Sequence, residues 1–126
     1  MSQIPTVIGL LLCEQLVIEE RTHNVTLVNC FTKCKAATFP SERQRFAVFA
    51  ALTDGFGDIE LKLVVQHLAT EEEIYHALRT LRFADRLQEV RFLFRVTNCS
   101  FPAAGPYDVI LFADGSELAR HRIYVS

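Results

Sequence analysis

Short apolar runs separated by turn residues recur along this chain, and this pattern constrains the fold more than any other feature. In the clearest run Ile59, Leu61, Leu63 and Val65 lie on one phase, and Glu60, Lys62 and Gln66 lie on the other. A period of two places successive side chains on opposite faces of a β-strand. Similar runs occur at residues 6–13, 16–20, 25–31, 45–52, 90–96, 107–113 and 118–125. Since no segment combines a helical apolar period with a cap at each end, the sequence predicts an all-β protein.

The apolar phases of these runs predict one shared core. The predicted members lie on alternating strands and are Ile59, Leu61, Leu63, Val65, Phe92, Phe94, Val96, Val109 and Leu111. Regularly spaced strands of this kind are typical of an antiparallel two-sheet β-sandwich, here Ig-like with about seven or eight strands. With 126 residues, the chain is long enough for one such domain, which we expect to span residues 1–126.

Residues 71–82 fit two interpretations. Ile74, Leu78 and Leu81 fall at the i, i+4 and i+7 positions of a helix. A sandwich, however, requires the chain to cross the core once more before the strand at residues 90–96. We therefore predict a strand over Glu73–Arg82.

Turn residues predict the connections. Asp114-Gly115 is the strongest hairpin signal in the chain, and Asp54–Asp58 predicts a glycine-rich hairpin after the run at 45–52. Pro40 makes residues 32–43 a plausible crossover between sheets. Tyr107 follows the break at Gly105-Pro106, which is where a sandwich can place a tyrosine corner, with the phenol hydroxyl bonded to nearby backbone.

Five segments carry a resemblance to a known family: "CEQLVIEE", "NVTLVNCFT", "FPSERQRFAVFAALTDGFGD", "LRFADRLQEVRFLFRV" and "CSFPAAGPYDVILFADGSELARHRI". On these segments the chain resembles a small uncharacterised family of short bacterial proteins with a predicted Ig-like β-sandwich fold. The resemblance implies that fold and a bacterial cytoplasmic setting. It implies no activity, cofactor or catalytic residue.

The apolar run Ile4–Cys13 has no basic residues before it, is too short to span a bilayer and lacks a cleavage site after it. We therefore expect a cytoplasmic protein with no membrane partner. In that reducing compartment, four cysteines are predicted to be free thiols: Cys13, Cys30, Cys34 and Cys99. Cys30 and Cys34 are further predicted to be small buried thiols.

Two patterns could in principle bind metal. Cys30 and Cys34 have a spacing that zinc could use with a histidine, but no second cysteine pair follows. Asp54 and Asp58, with Asp85 or Asp114, could supply oxygens to calcium. Aspartates that bond turn backbone explain the second pattern better, so no metal or cofactor is predicted. A sandwich that binds calcium or a small ligand through loops at one end remains the alternative.

No motif predicts catalysis. The chain has no Gly-x-Ser-x-Gly elbow and no cysteine in a nucleophile context, so we expect it not to be an enzyme. The Arg79–Arg95 segment contains five arginines that could contact nucleic acid. Arginines that cover a sheet surface are the favoured explanation, because a net charge of −2 gives no general attraction to phosphate.

Apolar residues on both phases of two strands predict an interface. Phe49 lies on the phase opposite to that of the core in the run at 45–52, and Ile110 and Phe112 do so in the run at 107–113. A strand that is apolar on both faces needs a second cover, which another subunit or the segment Thr32–Arg43 could provide. We predict a non-enzymatic module that binds proteins, including a second copy of itself as a homodimer.

Overall fold

The computed structural model describes residues 2–126, which form nine strands. The strands are β1 (Thr6–Ile18), β2 (Val25–Cys30), β3 (Lys33–Cys34), β4 (Gln44–Thr53), β5 (Gly57–His67), β6 (Glu73–Phe83), β7 (Val90–Cys99), β8 (Gly105–Ala113) and β9 (Ser116–Val125). The described part of the chain contains no helix, which confirms the all-β prediction.

The strands form two sheets that pack face to face. The four-stranded sheet has the order β2-β1-β4-β7, and the five-stranded sheet has the order β3-β9-β8-β5-β6. Every pairing is antiparallel except that of β3 with β9. The predicted two-sheet sandwich is therefore confirmed, with nine strands because the predicted crossover at residues 32–43 contains the two-residue strand β3.

The predicted runs at residues 6–13 and 16–20 are parts of one strand. In β1, residues up to Cys13 pair with β4, and residues from Cys13 onward pair with β2. The polar residues Glu14 and Gln15 separate the two apolar runs in the sequence, but both lie within the strand. A strand that changes partner along its length needs no turn at that point.

The core lies between the inner faces of the two sheets. Val48 of β4, Phe94 of β7, Leu61 of β5 and Leu111 of β8 are each at most 1% exposed. All nine residues predicted for the core belong to it, with Phe92 only partly buried. Packing of large apolar side chains from both sheets is what joins the sheets to each other.

The strand prediction for residues 73–82 is confirmed by β6, which pairs with β5 over its length. Tyr75, Ala77 and Leu81 pack against the core, whereas Leu78 faces outward and is 49% exposed. The helical spacing in this segment therefore arises because an exposed leucine lies between core residues of a strand.

The connections confirm one predicted turn and correct another. Asp114 and Gly115 both have positive φ, as a two-residue hairpin turn of type I′ requires, and join β8 to β9. The prediction of a hairpin at Asp54–Asp58 was wrong, because β4 and β5 lie in different sheets. Gly55 lies against the Phe83 ring at this crossover. Any other residue would place its Cβ 2.8 Å from the ring, which is too close.

Tyr107 is fully buried at the start of β8. Its hydroxyl donates a hydrogen bond of 2.7 Å to the Ala103 carbonyl and accepts one of 3.3 Å from the Ala103 N–H. The ring packs edge-on against Phe101 and His67. The predicted bond from the phenol to nearby backbone is confirmed.

Candidate functional site

The structure places the three predicted interface residues on opposite sides of the sandwich. Phe49 lies on the outer face of the four-stranded sheet, whereas Ile110 and Phe112 lie on the outer face of the five-stranded sheet. The three residues therefore do not form one patch, because their strands belong to different sheets. Each outer face has to be assessed separately.

Around β8 on the five-stranded sheet, outward apolar residues are covered by polar neighbours of the same sheet, whereas Leu78 of β6 is 49% exposed. Ile110 is 2% exposed and Val64, its partner on β5, is 5% exposed. Asp108 is 2% exposed and accepts hydrogen bonds from Arg120 and Arg122 at 3.0–3.3 Å. The aliphatic stems of such arginines can cover apolar surface while their guanidinium groups reach water.

Asp108 stays ionised despite its burial. Desolvation by burial raises the pKa of this carboxyl group, but the hydrogen bonds and charges of Arg122 and Arg120 outweigh that effect, so its pKa lies below the ordinary value. Glu117 pairs with Arg120 at 2.7 Å and extends the ion-pair network toward the β8–β9 turn. The part of this face around β8 is therefore covered by charged side chains of the same sheet.

On the four-stranded sheet, a row of three large apolar side chains crosses the outer face. Leu11 of β1 is paired with Phe49 of β4, and Phe49 is paired with Leu93 of β7. Leu11 is 41% exposed, and Phe49 and Leu93 are partly exposed. We call these three residues the outer row.

Small residues lie on both sides of the outer row. Gly9 is paired with Ala51 on one side, and Cys13 is paired with Ala47 on the other. A Cβ added to Gly9 would meet no atom within 4 Å, so the surface there is open. On β1 and β4 the outer row is therefore flanked by small residues, whereas on β7 it is flanked by Arg91 and Arg95.

The sequence identified Phe49 but missed Leu11 and Leu93. Leu11 lies in a run that is apolar on both phases, so its face could not be recognised without the register of β1 and β4. Leu93 carried a signal, because it stands between Arg91 and Arg95 on the charged phase of its strand. An apolar residue on an otherwise charged phase of a strand is expected to point outward, and it becomes informative when its cross-strand neighbours are apolar as well.

The cysteines are free, as expected, but not all of them are buried. Cys13 and Cys99 are buried, Cys34 is partly exposed and Cys30 is exposed. The prediction of buried thiols was therefore wrong for Cys30, because β2 is an edge strand of its sheet.

The loops proposed for calcium lie close together, and two of their aspartates bond backbone groups. The Asp54 N–H donates to the Arg86 carbonyl at 3.0 Å, which joins the two loops. Asp85 accepts from the Leu87 N–H at 2.6 Å, and Asp114 accepts from the Glu60 N–H at 2.9 Å. Among residues 2–126, no three His, Cys, Asp or Glu side chains converge as metal ligands would.

The arginines of the Arg79–Arg95 segment point to different surfaces. Arg91 and Arg95 flank the outer row on β7, and Arg91 pairs with Glu89 at 3.1 Å. Arg79 lies on the core-facing phase of β6, whereas Arg82 lies on the outer face of the five-stranded sheet. The segment therefore does not present one continuous basic patch.

Within residues 2–126, no helix is long and apolar enough to cross a membrane.

Comparison with known families matches residues 9–126 to a family of unknown function, DUF6941. The chain belongs to this family. The match begins within β1 and includes every other strand of the sandwich. A search of curated proteins found no match.

Proposed function

We propose that this DUF6941 protein is a non-enzymatic interaction module that self-associates as a homodimer through the outer face of its four-stranded sheet. The observation that carries the proposal is the outer row, Leu11, Phe49 and Leu93, which crosses three paired strands on a face without a covering layer among residues 2–126. Clustered apolar side chains on a sheet surface are typical of protein interfaces.

The shape of this face favours a second copy as the partner. The outer row is flanked by Gly9 and Ala51 on one side and by Cys13 and Ala47 on the other. In a face-to-face dimer, a two-fold axis allows the row of each copy to pack over the small residues of its partner. Such a self-complementary contact is the commonest way in which soluble proteins form dimers.

The other side of the sandwich is less suited to this role. Ile110, which the sequence pattern placed in the interface, is already 2% exposed under its own polar neighbours. Phe112 is partly exposed but lies between Lys62 and Glu117 on the neighbouring strands. Burial of Phe112 would require removal of these charged groups from water, which opposes association, whereas the charged neighbours of the outer row, Arg91 and Arg95, lie on the edge strand β7.

We further propose that the sandwich is Ig-like and cytoplasmic. In support of the first point, the hairpin β8–β9 lies beside β5, a parallel edge strand pairs with β9, and Tyr107 makes the hydroxyl-to-backbone bond of a tyrosine corner. In support of the second, all four cysteines are unpaired.

The experiment is a mass measurement by analytical ultracentrifugation at micromolar concentration on the wild type and two matched variants. Phe49→Glu places a charge at the centre of the outer row, and Phe112→Glu places one on the outer face of the other sheet. We expect a dimeric wild type, a monomeric Phe49→Glu variant and a dimeric Phe112→Glu variant. Circular dichroism of each variant verifies that the sandwich is folded.

A monomeric wild type would refute the proposal. A Phe49→Glu variant that remains dimeric would show that the outer row is not part of the interface. If only the Phe112→Glu variant is monomeric, the interface lies on the five-stranded sheet.

A further inference from the structure

Two of the four cysteines occupy directly opposite positions on neighbouring strands. Cys13 of β1 is paired with Cys30 of β2 in the register of the four-stranded sheet. The Phe31 N–H donates a hydrogen bond of 3.1 Å to the Leu12 carbonyl, immediately beside this pair. A ladder bond at that place flanks a non-hydrogen-bonded pair, the type in which the two side chains are closer together.

This geometry suits a disulfide. In a non-hydrogen-bonded antiparallel pair the two Cα atoms are about 4.5 Å apart, and both side chains point to the same face of the sheet. Disulfides join residues whose Cα atoms are about 4.4–6.8 Å apart. Cys13 and Cys30 can therefore be bridged without rearrangement of the two strands.

The two thiols differ in access to solvent. Cys30 is exposed on the edge strand β2, whereas Cys13 is fully buried next to it. Burial, followed by the neighbouring charge of Cys30, raises the pKa of Cys13, and the backbone N–H groups of Val28 and Gln15 oppose this increase. An oxidant from solvent therefore meets Cys30 first, and Cys13 stays protected until a reactive sulfur lies beside it.

We propose that Cys13 and Cys30 form a redox modification site, which a small disulfide oxidant such as glutathione disulfide converts to an intramolecular disulfide. The Cys30 thiolate attacks one sulfur of glutathione disulfide, forms a mixed disulfide and releases one glutathione thiolate. The Cys13 thiol loses its proton to water, and its sulfur attacks the Sγ of Cys30 and releases the second glutathione. Overall, the protein loses two thiol hydrogens and one glutathione disulfide becomes two molecules of glutathione.

The remaining cysteines do not offer an equivalent site. Burial is the main cause that raises the pKa of Cys99 to about 12, so its thiolate is not available near neutral pH. Burial also raises the pKa of Cys34, which lies on the short strand β3. Cys34 lies near enough to Cys99 for its charge to raise the pKa of Cys99 further, but the two residues belong to strands of different sheets and do not form a cross-strand pair like that of Cys13 and Cys30.

The test is to incubate the full chain with glutathione disulfide, alkylate the remaining thiols under denaturing conditions and digest with trypsin. Cleavage after Lys and Arg puts the four cysteines on four different peptides, residues 1–21, 22–33, 34–35 and 96–120. Mass spectrometry therefore identifies every pairing directly. We expect a linked pair of peptides 1–21 and 22–33, an intact chain that is lighter by two hydrogens, and reversal by dithiothreitol.

Three variants serve as controls. Cys34→Ser combined with Cys99→Ser should leave the linkage unchanged, whereas Cys30→Ser should abolish it and leave Cys13 alkylated. The Phe49→Glu variant should form the same linkage, because the site does not depend on self-association.

Alkylation of Cys13 and Cys30 as separate thiols after glutathione disulfide treatment would overturn the proposal. A mixed disulfide that persists on Cys30, or a linkage between two different chains, would do so as well.

Discussion

The outer faces of the two sheets start from the same kind of sequence and differ in how they are covered. β4 and β8 each carry apolar residues on both phases, yet Ile110 on β8 is 2% exposed while Leu11, beside β4, is 41% exposed. The difference lies in the neighbouring strands. β9 supplies Arg120 and Arg122 next to β8, whereas β1 supplies Gly9, Leu11 and Cys13 next to β4. An apolar residue on the outward phase therefore indicates an interface only when its cross-strand neighbours leave it uncovered.

The largest loss in the free energy of unfolding is expected where a side chain is completely buried. This loss should be similar for residues on the inner and outer faces of the five-stranded sheet. Leu61→Ala removes a core side chain, and Ile110→Ala removes an equally buried outward one. Each should lower the free energy of unfolding by about 2–5 kcal/mol in urea denaturation. An Ile110→Ala variant as stable as the wild type would mean that the polar cover of this face contributes nothing.

The next largest loss of stability is expected when the ion pairs that cover the outer face around β8 are removed. Asp108→Asn removes the charge that holds both Arg120 and Arg122, and we expect a loss of about 1–2 kcal/mol at neutral pH, since hydrogen bonds to charged groups exceed neutral ones. Asp58→Asn, an exposed site on the same sheet, is the matched control and should be neutral.

The contribution of Asp108 should also depend on pH. Its pKa in the folded state is below the ordinary value, so the carboxylate stabilises the fold at pH values above the ordinary Asp pKa of about 3.9. This stabilisation is lost as the pH falls through the lower folded-state pKa. Urea titrations between neutral and acid pH should therefore show the gap between wild type and Asp108→Asn closing in acid; a constant gap would contradict the ion-pair explanation.

A smaller loss of stability is expected at the tyrosine corner of the five-stranded sheet than on its outer face. Tyr107→Phe keeps the buried ring but removes the hydrogen bond to the Ala103 carbonyl. We expect a loss of about 0.5–1.5 kcal/mol in thermal or urea denaturation. If the variant unfolds at the same midpoint as the wild type, this bond does not stabilise the corner.

The smallest effect is expected on the outer row of the isolated monomer. In the Phe49→Glu background, Leu11→Ser should change the free energy of unfolding by less than about 0.5 kcal/mol, because the side chain is already exposed. A loss of stability comparable to that of Ile110→Ala would show that both outer faces are covered in the same way, which would contradict the difference described above.

Strand phase in the sequence was sufficient to predict the core. Leu61 and Phe94 lie on clean alternating runs, and both are buried between the sheets. The Asp114-Gly115 hairpin and the Tyr107 hydrogen bond were predictable because each depends only on residues close in sequence.

The site could be predicted only in part, because it depends on pairings between distant strands. Phe49 was recognisable as outward, but its neighbours Leu11 and Leu93 follow from the registers of β1 and β7 with β4. Phe49 and Ile110 are far apart because their strands belong to different sheets. The turn at Asp54–Asp58 illustrates why sheet membership is difficult to predict from the sequence. A turn of the same composition can close a hairpin or carry the chain from one sheet to the other.

The parallel pairing of β3 with β9 has a consequence for protein synthesis. The Thr32 carbonyl accepts a hydrogen bond from the Tyr124 N–H, and the Cys34 carbonyl accepts one from the Ser126 N–H, so this segment is held by residues that are synthesised much later. On the ribosome, β1 and β2 can pair as soon as they emerge, but β3 has no strand partner until β9 has been synthesised. We therefore expect a nascent chain that lacks β9 to remain accessible to proteases between β2 and β4, and to become protected only once β9 is added.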